Sequence, residues 1–288
     1  SSLTGGDANA GGGLGATGCW GIVEGTSFVD NTAIWRGGGA SITGDSLDFV
    51  DNTVTSNDSD SNGGGLYLDG DSDILDNTFD ANHADFNGGG AFVNAGYGDI
   101  SGNDVTGNTS IDDGGGIYVS SGAPTVSGNT FEDNVSDDEG GGLRVKLASP
   151  DITDNVFTGN HADYRGGAVK VSHDEVTMSR NVYTANTTWV TGGAVLLYES
   201  ASVLTDEVYT DNEAENGGAL AILAGWGGVV LEDCTFARNE ADADGGHLYI
   251  DLPGHTVTLR RVDLVDGSAA DGGAGWAIGT DIQFENTL

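Results

Sequence analysis

Apolar and polar residues alternate in short bursts along the whole chain, and the bursts recur on a fixed beat. One burst follows each glycine cluster, as in Leu66-Tyr67-Leu68, Ile117-Tyr118-Val119 and Leu143-Arg144-Val145. A second holds an apolar residue at Phe49, Ile74, Ile100, Val126 and Ile152, each five positions before the next marker. That marker is a larger residue in a third burst: Phe28, Val54, Phe79, Val105, Phe131, Phe157, Tyr183, Tyr209 and Phe236. Period-two alternation over short stretches, rich in β-branched residues and separated by turn-forming clusters, predicts strands with one buried face. No stretch carries a helical period.

The punctuation keeps the same beat. Gly-Gly pairs begin at positions 11, 37, 63, 88, 114, 140, 166, 192, 217, 245 and 272. An Asn stands three residues after most markers, among them Asn82, Asn134 and Asn160, and a second Asn often precedes the marker by two. Three short strands in each repeat of about 26 residues, over eleven repeats, predict an all-β fold, a right-handed parallel β-helix. The hand follows from the chirality of parallel crossovers. One domain spans 1–288: an N-terminal segment over 1–10, repeats over 11–275 and a final incomplete coil over 276–288. Stacked coils rise by about 4.8 Å, giving a rod roughly 50 Å long. Like residues then form ladders. Phe79, Phe131 and Phe157 stack inward, and Asn82, Asn134 and Asn160 bond one another and the turn backbone. The four glycosylation sequons, at Asn57, Asn108, Asn134 and Asn186, fall on this Asn ladder and are expected to stay unmodified. The Gly pairs suit a sharp turn at positive φ.

The two markers together resemble the repeat of chlamydial-type polymorphic outer membrane proteins, which pairs Gly-Gly-Ala-(Ile/Leu/Val) with Phe-x-x-Asn. Gly192-Gly193-Ala194-Val195 and Gly217-Gly218-Ala219-Leu220 carry the first motif, and Phe79-Asp80-Ala81-Asn82 and Phe157-Thr158-Gly159-Asn160 the second. The resemblance covers about residues 11 to 275 and implies a secreted, surface-exposed β-helix, often adhesive. Repeats one to six mostly carry a third Gly in place of the Ala, and the 288 residues include no barrel of the autotransporter kind.

Charge narrows the partners. With 45 acidic and 9 basic residues the formal net charge is −36, which repels nucleic acid and anionic membrane surfaces. No apolar run is long enough to span a bilayer. Cys19 and Cys234, eight coils apart and about 38 Å from each other, are expected to be unbridged within the chain and small and buried. An extracellular protein freed of a leader is expected. Many acids gather between the Asn and the glycines: Asp58, Asp60, Asp85, Asp112, Asp113, Asp137, Asp138 and Asp163 among them. Calcium, with its taste for carboxylate oxygen, suits such a column, although the nonapeptide calcium repeat is absent. A solvated acidic edge in a salty medium is the plainer reading.

No catalytic signature is visible, and no enzyme is expected. The basic residues form no recurrent cluster with the acids, and His83 and His161, in matching Asn-His-Ala-Asp contexts, read as turn-exposed. The broader class of polysaccharide lyases and hydrolases on this fold stays as an alternative, by analogy of fold. The outward positions behind the glycines form a stripe with Tyr67, Phe92, Tyr118, Tyr249 and Trp276, read as an exposed contact surface for a carbohydrate or surface protein. Solenoid ends are open sheet edges. Leu288 falls on the marker ladder, so the tail and residues 1–12 of a second copy are expected to complete one shared coil, with Leu3, Leu14, Phe284 and Leu288 at the subunit ends. Head-to-tail polymerisation into a fibre is the leading functional expectation, ahead of an adhesin that works through the stripe.

Overall fold

The computed structural model describes residues 1–44, 46–94, 96–173, 175–225 and 227–286. All regular structure among them is strand. The strands form four parallel sheets of 11, 10, 11 and 11 members, each taking at most one strand from every coil. This is a parallel solenoid of eleven coils, as the repeat predicts. In chain order, the first sheet holds Ser2–Thr4, Ser27–Val29 and their successors, the second Asp7–Ala10 and Thr32–Arg36, the third Leu14–Thr17 and Ala40–Thr43, and the fourth Gly21–Glu24 and Leu47–Val50.

Four strands per coil correct the expected three. The stretch between the Asn and the glycines, read as a turn because it is acidic, is the second sheet. Its strands are often two residues long, such as Asp58–Ser59 and His83–Ala84. Period two cannot be recognised in two residues, yet the small inward side chains Ser59, Ala84, Ser110, Ser136 and Ala162 are buried. Residues 1–10 are likewise not a separate segment. They supply the first strands of two sheets, and Leu3 pairs with Phe28 on the marker ladder.

Inside, the ladders form as the spacing requires. Phe131, Phe157, Tyr183, Tyr209 and Phe236 are fully buried, and successive rings lie 4.7, 5.1, 4.7 and 4.5 Å apart and nearly parallel. Each buried side chain of this size contributes about 1.5–3 kcal/mol. Where the ladder carries Val54 between Phe28 and Phe79, Phe49 of the fourth sheet fills the space, 5.5 Å from one ring and 6.3 Å from the other. A small residue in one ladder is thus offset by a large one beside it.

Two Asn columns line two corners. Asn134 is typical: its Nδ2 donates to the carbonyl of Val105 (2.8 Å) and to Asn160 Oδ1 (2.9 Å), while its Oδ1 accepts from Asn108 N (3.0 Å) and Nδ2 (3.0 Å). Every interior member satisfies the polar groups exposed by the bend, so a buried polar residue is tolerated at each coil. The four sequon Asn residues are all buried. One column ends at Asn239, followed one coil later by Gly267; the imidazole of His247 fills that gap and its Nδ1 lies 3.1 Å from Asn239 Nδ2.

At Gly63-Gly64 the two glycines have separate reasons. Gly63 adopts φ +70°, and a Cβ on Gly64 would run into the carbonyl oxygens of His83 and Gly89. Both ends of the stack leave core residues partly open. Leu3, Leu14 and Val23 do so at one end. At the other, a cavity of about 260 Å3 is lined by Leu248, Leu259, Leu264, Trp276, Ile282 and Phe284 among others. Phe284 is 64 % exposed, and Leu288 lies outside the described residues.

Candidate functional site

The outward stripe on the third sheet exists, but most of it is not exposed. Tyr67, Phe92 and Tyr118 stack at 5.3 and 5.1 Å. Phe92 and Tyr118 are buried, Tyr67 and Tyr249 are half-buried, and only Trp276 opens to solvent, at 37 %. The cover comes from the chain itself. It reverses at the glycines, so the residue just before them lies over the stripe. Arg36 sits 4.8 Å from the centroid of the Tyr67 ring, and Asp113 reaches Arg144. Alternation distinguishes inward from outward but cannot tell an open outer face from one folded under a neighbouring corner.

Beneath that corner the chain gathers a charged cluster. Arg144 Nε meets Asp113 Oδ2 at 3.2 Å and its Nη2 meets Glu139 Oε2 at 3.2 Å. Lys170 Nζ lies 3.8 Å from Glu139 Oε2 and 4.6 Å from the centroid of Tyr198, and Arg165 Nη1 lies 3.5 Å from Glu139 Oε1. Arg144 and Lys170 are buried. Burial pulls the Lys170 ammonium down to about 7 against the attraction of Glu139. It raises the Asp113 carboxyl against the pull of Arg144, and pushes the Tyr118 phenol up to about 12. Asp113 Oδ1 has no hydrogen-bond partner. Three of the nine cations in a chain of net charge −36 therefore converge at one place, beside a carboxyl with a free oxygen and an amine poised near neutrality. Arg144 and Lys170 are closed off from solvent, so the arrangement is a buried charge network with the part-exposed Arg165 at its edge.

No recurrent cluster of basic residues with acids was expected, and this one gathering of Arg144, Arg165 and Lys170 with Asp113 and Glu139 went unseen. Its members come from adjacent coils and lie about one repeat apart, too far for a local motif. A signal was nonetheless available. Asp113, Glu139 and Arg165 each stand one residue before a Gly pair, and Tyr118, Arg144 and Lys170 each stand four residues after the first Gly of one. Aligned repeats thus put acid and base in facing columns.

The remaining acids lie elsewhere. Asp58, Asp60, Asp85, Asp112, Asp137, Asp138 and Asp163 sit on or just past the strands of the second sheet, half-buried or exposed, whereas Asp113 is drawn into the arginine cluster and away from any such column. Among the described residues no three His, Cys, Asp or Glu side chains converge to hold a metal ion. His83 and His161 are strand residues, not turn residues, in matching settings. The Nδ1 of each lies 2.7 Å from a Thr hydroxyl of the next coil, and the Nε2 lies 3.3 or 3.1 Å from the Asp two residues on. The other cations are mostly spent in exposed pairs between coils, such as Arg180 with Asp154 and Arg238 with Asp211. Cys19 is exposed and Cys234 buried, both unbridged; the first corrects the expectation of two buried thiols.

Four stacked parallel sheets with inward Asn and aromatic ladders and a charged cluster under one corner define a parallel β-solenoid. The family described as right-handed β-helix region matches residues 38–207, more than half of the chain, and the chain belongs to that family. No curated protein and no solved structure matches the chain.

Proposed function

We propose that the protein is an extracellular structural rod that extends by stacking coil on coil with further copies of itself. The observation that carries this reading is the matched pair of uncovered ends. Leu3 and Leu264 end one ladder and Val23 and Phe284 another, while Leu14 at the first end and Ile282 at the last add apolar surface on ladders whose opposite ends are Gly275 and Gly21. The strands Ser2–Thr4, Leu14–Thr17 and Gly21–Glu24 would extend the sheets that end in Asp263–Val265, Gly275–Ile278 and Asp281–Glu285. A coil shared between one copy's tail and the next copy's head does not fit, because Leu3 already holds the marker position in its own coil, the position assigned to Leu288. Stacking is therefore whole coil on whole coil. The surface display implied by the polymorphic outer membrane protein repeat is in keeping with such a rod. Calcium, if taken up, would associate with acids stacked on the second sheet such as Asp60 and Asp85 and ease their repulsion.

Sedimentation and negative-stain imaging across salt and protein concentration test this. Rods that lengthen with both are expected, and Leu3→Asp with Phe284→Asp should leave single, still folded units whose melting temperature is a little lower because Leu3 packs on the core. A monomer under all conditions, or a longer polypeptide whose own further coils cover these ends, would overturn it.

The charged cluster favours a second reading: a polysaccharide-processing site that takes an acidic sugar at the part-exposed Arg165, with Lys170 and Asp113 behind it relaying a proton. Incubation with acidic polysaccharides, with and without calcium, should yield shortened products that Lys170→Met abolishes. Intact polymer throughout would exclude this reading.

A further inference from the structure

The exposed aromatic residues that sequence reading sought on the third sheet are found on the second. Trp35, Phe86, Tyr164 and Trp189 lie on or just past its second, fourth, seventh and eighth strands, and are 48–67 % exposed. Counting coils, the steps between them are about 10, 14 and 5 Å. Carboxylates stand between and beside the rings, Asp60 and Asp137 among them, both exposed. An exposed aromatic face flanked by carboxylates recognises a cation carried on an apolar stem, because the ring quadrupole and the carboxylate attract the same group. The molecule's own cations already bind in this manner: Arg165 lies 4.8 Å from the Tyr164 centroid, Arg36 4.8 Å from that of Tyr67, and Lys170 4.6 Å from that of Tyr198.

We propose that the outer side of the second sheet docks an extended, arginine- and lysine-rich segment of a partner protein, laid along the solenoid axis. Charge complementarity selects the occupant. A second copy of this chain, at −36, is repelled from a lateral face, and so is a nucleic acid. A segment in polyproline II conformation rises by about 3.1 Å per residue with three residues per turn, so basic side chains at every third position share one face and stand about 9 Å apart, near the first step between the rings.

The test is fluorescence anisotropy with a labelled dodecapeptide carrying Arg at every third position, at physiological salt. Three variants separate the contributions: Trp35→Ala/Phe86→Ala/Trp189→Ala, Asp60→Asn/Asp137→Asn/Asp163→Asn, and a charge-matched control on the first and fourth sheets, Asp104→Asn/Asp151→Asn/Asp263→Asn. The first two are expected to weaken binding about tenfold or more, and the control less than about threefold. The inference is overturned if the aromatic variant binds like the parent, if the control weakens binding as much as the second-sheet acids do, or if a neutral oligosaccharide displaces the peptide. All the altered side chains are exposed except the half-buried Asp163, which faces His161 Nε2, and unchanged melting temperatures would confirm that the fold persists.

Discussion

Glu207 occupies the seat of an asparagine: its Oε1 accepts both the backbone N–H of Asn181, at 3.1 Å, and the Asn181 side-chain amide, at 2.9 Å. The column that runs from Asn52 to Asn181 thus ends on an ionisable group inside the core, with Cys234 one coil further on. Burial pushes the Glu207 carboxyl up to about 8. Between the ordinary value of 4.5 and about 8 the folded chain therefore binds a proton that the unfolded chain has released, and stability falls as pH rises through that window. Glu207→Gln keeps the acceptor and removes the titration. Its unfolding free energy should exceed that of the parent above pH 8 by an amount on the order of a few kcal/mol and match it near pH 4, with melting temperatures in the same order. Parallel melting curves across pH for the two proteins would contradict this.

Lys170 titrates with the opposite sign. Its ammonium is held at about 7 in the folded chain against an ordinary 10.5, so the unfolded chain binds the extra proton and stability rises with pH across that interval. Lys170→Met should abolish the alkaline rise and leave stability at pH 7 unchanged or higher, since Arg144 and Arg165 still face Glu139. Arg144→Met strands Asp113, while Glu139 keeps Arg165 and Lys170, and should cost about 3–5 kcal/mol in denaturant unfolding.

Asn134→Ala removes a donor and an acceptor from the middle of a ladder. The carbonyl of Val105 and the amide groups of Asn108 lose their partners, and a loss of about 3 kcal/mol or more is expected. The same burial shields the sequons. Mass spectrometry of protein made in a glycosylating host should find Asn57, Asn108, Asn134 and Asn186 bare, and a glycan on any of them would mean that its coil had not formed.

Phe157→Ala opens a void between Phe131 and Tyr183, whose rings flank it at 4.7 and 5.1 Å. Equilibrium unfolding should report a loss of about 3–5 kcal/mol. Leu264→Ala, at the partly open end, should cost clearly less, because part of that side chain is already in water.

The two thiols should differ under native labelling. Cys19 is exposed, whereas burial pushes the Cys234 thiol up to about 12. One equivalent of a thiol reagent should react before denaturation and the second only after it; two fast equivalents would contradict the buried placement.

The amino-acid pattern alone determined that this chain is a parallel β-solenoid of eleven coils, which ladders point inward and why so many glycines recur, because each is a nearest-neighbour property repeated at every coil. It also told Asn82 from Asp80: one is repeated three residues after most markers, the other is not. The fourth sheet escaped it because strands such as Asp58–Ser59 are too short to show a period. The outer faces escaped it too. Whether Tyr118 is open or covered, and whether Asp113 meets Arg144 or water, depends on how sharply the chain folds back at Gly114 and Gly140. That angle is set by backbone contacts between coils, and only the tertiary structure decides it.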